Sequence, residues 1–176
     1  MLITSGGVSL GDYDMVKDIL SKRGELHLWT IRIKPGKPSA FGLIRRDGDR
    51  PGLPLIGLPG NPVSSMITFE QFVRPAILKM LGLRTLRKPT VRAKIEGEIS
   101  NKDRRRVFAR VSVHSDGDAY RARLTGPQGS AILTSMTKAN GLAIVPDLVS
   151  HISPGDAVEV QMMDWNESYC LEGETP

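Results

Sequence analysis

The chain has 176 residues, a formal net charge of +5, 40% hydrophobic and 5% aromatic residues. That length buries the core of one or two modest domains, and no apolar run approaches the ~18 residues of a membrane-spanning helix. The one cysteine, Cys170, excludes an internal disulfide or thiolate metal site and fits a reducing cytoplasm, while scattered Lys and Arg with few aromatics argue against nucleic acid.

Charge is unevenly spread, with 13 Lys/Arg against 7 Asp/Glu in residues 1–87 and 11 against 12 in residues 88–176. A small anionic ligand in the first half explains this balance economically. Met1 is not followed by a basic and then apolar stretch, so a secretory leader has no support.

Leu2-Ile3 lead into Thr4-Ser5-Gly6-Gly7-Val8-Ser9-Leu10-Gly11-Asp12-Tyr13-Asp14. Paired glycines between a strand and a helix let backbone N–H groups approach a phosphate, and Ser5 and Ser9 add hydroxyls. Asp12 or Asp14 then starts a helix with Met15, Val16, Ile19 and Leu20 on one face, closing at Gly24. Leu26–Ile33 predicts a strand that runs into Lys34-Pro35-Gly36-Lys37-Pro38, two lysines in a stiff frame. Phe41–Arg45 and Leu53–Leu58 flank Asp47-Gly48-Asp49-Arg50-Pro51-Gly52, the composition of a hairpin or wide turn.

Leu53–Leu58 is short and apolar, as suits a strand covered on both faces. Gly60 then allows a sharp turn, Asn61 is a good N-cap and Pro62 suits the first helical position. Ser64 places a hydroxyl in the first turn, beside N–H groups that favour an anion. The helix carries Val63, Met66, Ile67, Phe69 and Phe72, kinks at Pro75 before Ile77, Leu78 and Leu81, and ends at Gly82. Strand–helix alternation implies a mostly parallel sheet, with ligands beyond its carboxyl ends where the three motifs sit. Taken singly, each motif is also the composition of a plain turn or a solvated loop.

Beyond Arg87-Lys88-Pro89 the pattern changes. Val91–Glu96, Val107–Val113, Ala119–Leu124, Leu142–Val145 and Ala157–Met162 are short strands, the second and third joined by Ser115-Asp116-Gly117-Asp118. A helical turn falls near Ala131–Met136. Residues 88–165 read as a small β-barrel or sandwich, and 166–176 as a polar tail. Lys102-Asp103-Arg104-Arg105-Arg106 reads as a solvated loop.

The three motifs in this order resemble the molybdopterin molybdenumtransferase family, MoeA of bacteria and the E domain of gephyrin. The resemblance runs to about Met163 and covers less than half of the family's length, so the chain is expected to be a C-terminal fragment or a reading frame with a late start. The fold this implies is α/β: part of a three-layer, MogA-like molybdenum-cofactor-biosynthesis domain over 1–87, then a small β-barrel domain over 88–165. Members of the family take adenylylated molybdopterin and molybdate, release AMP and leave molybdenum on the dithiolene sulfurs.

The resemblance assigns roles residue by residue. Thr4, Ser5, Gly6, Gly7 and Ser9 match the phosphate and pterin cradle, with Pro38, Gly60, Asn61, Pro62 and Ser64 completing the substrate contacts. Asp14 matches a metal-linked aspartate for Mg²⁺ in Gly-x-x-Asp-x-x-Lys, although Asp12 stands where many members have Glu. Lys34 and Lys37 match the Lys-Pro-Gly-x-Pro loop, and with Asp14 form the catalytic set. Molybdate falls to Lys34, Lys37, Ser64, Arg105 and Ser130. Arg105 is aligned through Arg105-Arg106-Val107-Phe108-Ala109-Arg110, where Arg106 and Val107 replace the usual Pro-Glu. Ser130 is aligned through Gln128-Gly129-Ser130 with Ser135 and Asn140. The resemblance also implies a cytoplasmic enzyme, homodimeric in its full-length form, with a molybdopterin adenylyltransferase as a further partner. Two other readings stay open: an adenylyltransferase-type enzyme on the same nucleotide fold, and a scaffold or oligomerisation module without turnover.

Overall fold

Five strands precede the first described helix: β1 (Leu2–Ser5), β2 (Gly24–Thr30), β3 (Ile33–Lys34), β4 (Pro38–Ile44) and β5 (Leu53–Leu58). The structure is a computed structural model that describes residues 1–7, 24–45 and 51–164. The helix expected after Asp14, the turn at 46–50 and the polar tail lie outside the described residues. Apolar β5 sits inside the first sheet, in the order β1-β5-β4-β2, and Leu55, Ile56 and Leu58 are buried as its composition predicts. β4 and β5 form the expected hairpin, with Ile44 opposite Leu53.

The expectation of a mostly parallel sheet is overturned. Among the described residues of this sheet only β1–β5 is parallel, whereas β4–β5 and β2–β4 are antiparallel. Both antiparallel pairs are joined by short connections, and a parallel pair needs a crossover of a dozen or more residues. The single strand expected over Leu26–Ile33 also divides. Ile31 N–H donates to Lys37 C=O at 2.8 Å, which closes a loop and turns Ile33–Lys34 away from the first sheet. Those two residues instead pair in parallel with a strand of the second half, Ile33 opposite Arg106 and Lys34 opposite Val107.

The helical stretch after Asn61 comprises α1 (Pro62–Thr68), a π-helical turn (Phe69–Val73) and α2 (Arg74–Met80). Val63, Ile67 and Val73 are fully buried, each stabilising the fold by about 1.5–3 kcal/mol as an upper estimate. Pro75 perturbs the helix as expected, but through the wider turn just before it, where Arg74 N–H reaches Phe69 C=O. Gly82 ends it at φ +82°, with its N–H on Lys79 C=O and that of Leu83 on Leu78 C=O, both at 3.0 Å. That is the Schellman arrangement a C-terminal glycine predicts.

The second half holds β6 (Thr90–Ile95), β7 (Ile99–Ser100), β8 (Arg106–Asp116), β9 (Ala119–Leu124), α3 (Leu133–Thr137), β10 (Gly141–Val145), β11 (His151–Ile152) and β12 (Ala157–Met162). β10, β12, β6, β9 and β8 pair in sequence, and β8 pairs back to β10, so the expected barrel is closed. Inside it lie Ala93, Ile95, Val107, Ala109, Val111, Val113, Ala122, Val145, Val158 and Val160. The outer wall is not left to solvent. Phe108 and Leu142 pack with Ile33, Val63, Ile67 and Met136 in a second buried cluster that joins α1 to the barrel.

Gly36 shows how tight that junction is. At φ +113°, a Cβ there would stand 2.8 Å from Thr68 Oγ1 and 3.0 Å from Ile33 Cδ1, whereas Gly126, at φ +120°, has nothing within 4 Å. Both Ala variants carry a backbone penalty of about 1–2 kcal/mol. Gly36→Ala should lose a further ~1–3 kcal/mol from overpacking. Urea unfolding of the two variants checks this, and equal losses would show that the loop does not depend on its contact with α1.

Candidate functional site

Three loops meet at one end of the first sheet. β2 and β5 both run antiparallel to β4, and β1 runs parallel to β5, so the carboxyl ends of β1, β2 and β5 share an edge. The glycine loop leaves β1 with Gly6 and Gly7 at φ +79° and +73°. Gly6 N–H donates to Leu58 C=O at 3.0 Å, and a Cβ on Gly60 would stand 3.8 Å from Gly6 Cα. Small residues thus let the Ser5–Gly7 and Pro59–Asn61 loops lie together. Thr4 Oγ1 is buried there without a hydrogen-bond partner among the described residues. Ser9 and Asp14 lie outside the described residues, and so does any cation site built on Asp14.

The β3–β8 pairing brings Lys34 to the barrel. Lys34 Nζ lies 3.0 Å from Asp103 Oδ2, and Arg105 Nη2 lies 2.5 Å from the same oxygen. Arg105 Nη1 also donates to Ile33 C=O at 3.3 Å, and its backbone N–H donates to Asn101 Oδ1 at 3.3 Å. Asn101 is fully buried and donates from Nδ2 to Val149 C=O at 2.9 Å and to Pro146 C=O at 3.2 Å. So the basic loop is anchored rather than merely solvated, and Asp103 is a partner that the sequence did not single out. Hydrogen bonds from Arg105 and then Lys34 hold the Asp103 carboxyl down at about 2. Lys37 is exposed, and its carbonyl closes the loop on Ile31.

At the start of α1 the expected capping does not occur. Asn61 has the extended backbone of an N-cap but makes no capping bond from its side chain. Val63 N–H donates instead to Ser130 C=O at 3.2 Å, and Asn61 Nδ2 donates to Ser130 Oγ at 3.1 Å. A carbonyl from the barrel side does the work of the cap, which frees the amide to reach across. Ser64, next along, is buried. Ile33 and Val63, each adjacent to a candidate residue, share the cluster behind both groups.

The loop that carries Ser130 is held by a network of buried and half-buried polar groups. The guanidinium of Arg110 is fully buried, with Nε on Ser135 Oγ and Nη2 on Gly129 C=O, both at 3.1 Å. Burial lowers its pKa. Gln128 Oε1 accepts from Arg110 N–H at 2.8 Å, and Gln128 Nε2 donates to Arg110 C=O at 3.2 Å. Asn140 does the same at Val113, accepting at 2.6 Å and donating at 2.9 Å. Both amides complete the β8 ladder where it changes partner from β10 to β9. Alternation along β8 turns Arg110 outward; what alternation does not show is that α3 and the 126–130 loop cover that face.

A separate cleft of about 790 Å³ lies between the helical segment and the barrel, lined by Gln71, Arg74, Lys88, Arg106, Phe108 and Glu159 among others. None of the described candidate residues lines it. Among the described residues no three His, Cys, Asp or Glu side chains gather into a cation site, and no helix is long and apolar enough to cross a membrane.

Both halves of the chain are similar to known proteins. Residues 1–79 match the family described as a probable molybdopterin binding domain, and residues 92–163 match the MoeA C-terminal region (domain IV). A molybdopterin molybdenumtransferase of Haemophilus influenzae is 32% identical over 166 residues, which is 92% of this chain and 39% of the relative. Gephyrin of Dictyostelium discoideum is 33% identical over 177 residues, 90% of this chain and 25% of the relative. A crystal structure of a molybdopterin biosynthesis MoeA protein from Pyrococcus horikoshii superimposes with a TM-score of 0.70 at 29% identity, covering 93% of this chain and 37% of that one. The chain thus spans well under half the length of these relatives.

Two outcomes follow from the site's geometry. Asp103 has a folded pKa below its ordinary value, so its contacts contribute fully above roughly pH 4 and are lost as pH falls through about 2. The difference in melting temperature between the parent and Asp103→Asn should be flat above roughly pH 5 and shrink in stronger acid. A difference that changes through neutral pH would assign the effect to another group. Arg110→Met removes the donor to both Ser135 and Gly129 and should cost at least ~2 kcal/mol in urea unfolding. A loss below ~0.5 kcal/mol would show that the 126–135 loop docks without the guanidinium.

Proposed function

The chain belongs to the MoeA–gephyrin family of molybdopterin molybdenumtransferases, and from that premise we propose that it serves molybdenum cofactor biosynthesis, holding adenylylated molybdopterin and molybdate for metal insertion with release of AMP. The proposal divides the chain into a molybdopterin-binding unit over 1–87 and a barrel unit over 88–165. The observation that carries it is the junction itself: Lys34 and Arg105 converge on one carboxylate oxygen, and Asn61 meets Ser130 at the start of α1. Four residues that the family pattern assigns to the substrates, two from each unit, thus lie in cross-unit pairs.

The proposed reaction brings together a pyrophosphate linkage and a compact tetrahedral dianion. Point charges and hydroxyl donors suit molybdate better than a shaped apolar pocket. In this reading Lys34, Lys37 and Arg105 supply the charge, Ser64 and Ser130 the hydroxyls, and the junction orients them. Ser5, Gly6 and Gly7 take the phosphate end, where the left-handed glycines leave room for backbone N–H groups to approach an oxyanion. Mg²⁺ at Asp14 belongs to the proposal, and the described residues offer no second cation cluster. Assembly as a homodimer, an adenylyltransferase supplying the adenylylated pterin and a cytoplasmic location complete the proposal.

Calorimetry with molybdate and with AMP separates the possibilities. Lys34→Ala and Arg105→Ala should each weaken molybdate binding at least about tenfold and leave AMP nearly unaffected. Gly7→Val should do the reverse, because a β-branched side chain blocks backbone approach to a phosphate. Binding of AMP without molybdate would favour the adenylyltransferase-type reading, and binding of neither would favour a scaffold.

A further inference from the structure

We propose that the Asp103 carboxylate is a built-in competitor for the oxyanion, bridging Lys34 and Arg105 where a tetrahedral dianion would bridge them and leaving when that dianion arrives. The inference rests on the assignment of Lys34 and Arg105 to molybdate. It starts from one atom: Asp103 Oδ2 receives both contacts, at 3.0 Å from Lys34 Nζ and 2.5 Å from Arg105 Nη2. A carboxylate oxygen held between two cations occupies the position of one oxygen of a bound oxyanion.

The two cations and the carboxylate are anchored very differently. Lys34 is fixed through its backbone in β3, which pairs with β8. Arg105 is fixed twice more, by Nη1 on Ile33 C=O and by its own N–H on Asn101 Oδ1. Apart from these two cations, no hydrogen bond holds the Asp103 carboxylate among the described residues. Its side chain is 42% exposed, so rotating outward leaves it hydrated rather than buried and unpaired. Removing Asp103 therefore leaves the Arg105 guanidinium and the backbone that carries Lys34 in place.

The energetics run the same way. Lys34 is 41% exposed and Arg105 25%, so a solute can reach both, and an ion pair so placed is weak in water. A dianion offers twice the charge of the carboxylate and more acceptor oxygens, so it can displace Asp103 at a modest cost in affinity. Asp103 thereby offsets the charge of Lys34 and Arg105 at low oxyanion concentration and sets the concentration at which the site fills. The carboxyl stays ionised through the neutral range, so this competition is constant there.

The test is equilibrium dialysis of the 176-residue chain against molybdate. Asp103→Asn and Asp103→Ala should each tighten binding by about three- to tenfold, the worth of the contacts that no longer need breaking. Asp147, whose carboxylate lies 3.7 Å from Arg32 on the same side of the barrel, supplies the control. Asp147→Asn should change affinity by less than about twofold. Equal tightening in the Asp103 and Asp147 variants would reduce the effect to net charge and overturn the proposal. Unchanged or weaker binding in both Asp103 variants, with Lys34→Ala and Arg105→Ala still losing about tenfold, would overturn the competitor and leave the molybdate assignment standing. No change in Lys34→Ala and Arg105→Ala would overturn the assignment and the competitor with it.

Discussion

The parallel pairing of Ile33–Lys34 with Arg106–Val107 is the contact on which the rest of the junction depends. It is only two residues long, and by itself so short a pair would be marginal in water. Its support comes from behind, where Ile33 packs with Val63, Ile67, Phe108, Met136 and Leu142 in one buried cluster. In front, Arg106 N–H donates to Arg32 C=O at 2.9 Å. Because the backbone is fixed on both sides, the side chain of Lys34 must emerge beside the loop that carries Arg105. The proximity of the two cations is a consequence of sheet pairing, not of any attraction between them.

A second constraint works through unpaired polar groups. The first turn of any helix leaves N–H groups without intrahelical partners. Here one of them is taken by Ser130 C=O, which lies at the tip of a loop pinned by Arg110, Gln128 and Thr125. Each of those pins is itself a buried or half-buried polar group that would be costly to leave unmade. Loop and helix therefore hold each other, and the hydroxyl of Ser130 is set against Asn61.

These two constraints give the junction a rigid frame with one adaptable element. Backbone pairing, apolar packing and satisfied polar groups fix where the cations and hydroxyls stand. The Lys34–Asp103–Arg105 contacts, partly exposed and carried by one carboxylate, are the part that we propose exchanges with solute. The proposed anion site would use this combination, since positive charges held apart by their own repulsion would have to be drawn together on binding.

Features set by neighbours a few residues away are legible in the amino-acid sequence alone. The apolar run of β5, Pro62 at the first helical position, the glycine end at Gly82, the hairpin around Gly117 and the span Ala157–Met162 all follow from local periodicity, capping or turn chemistry. What sequence could not decide were contacts across about seventy residues: the turn of Ile33–Lys34 out of one sheet and into another, the carbonyl that replaces the Asn61 cap, and the acid that bridges Lys34 and Arg105. The antiparallel direction of β2 and β4 belongs with these, because strand direction depends on which partner a strand finds. Arg110 makes the point most sharply. Its outward position follows from alternation, but a strand's outer face becomes interior only when another element packs on it, and that element lies elsewhere in the chain.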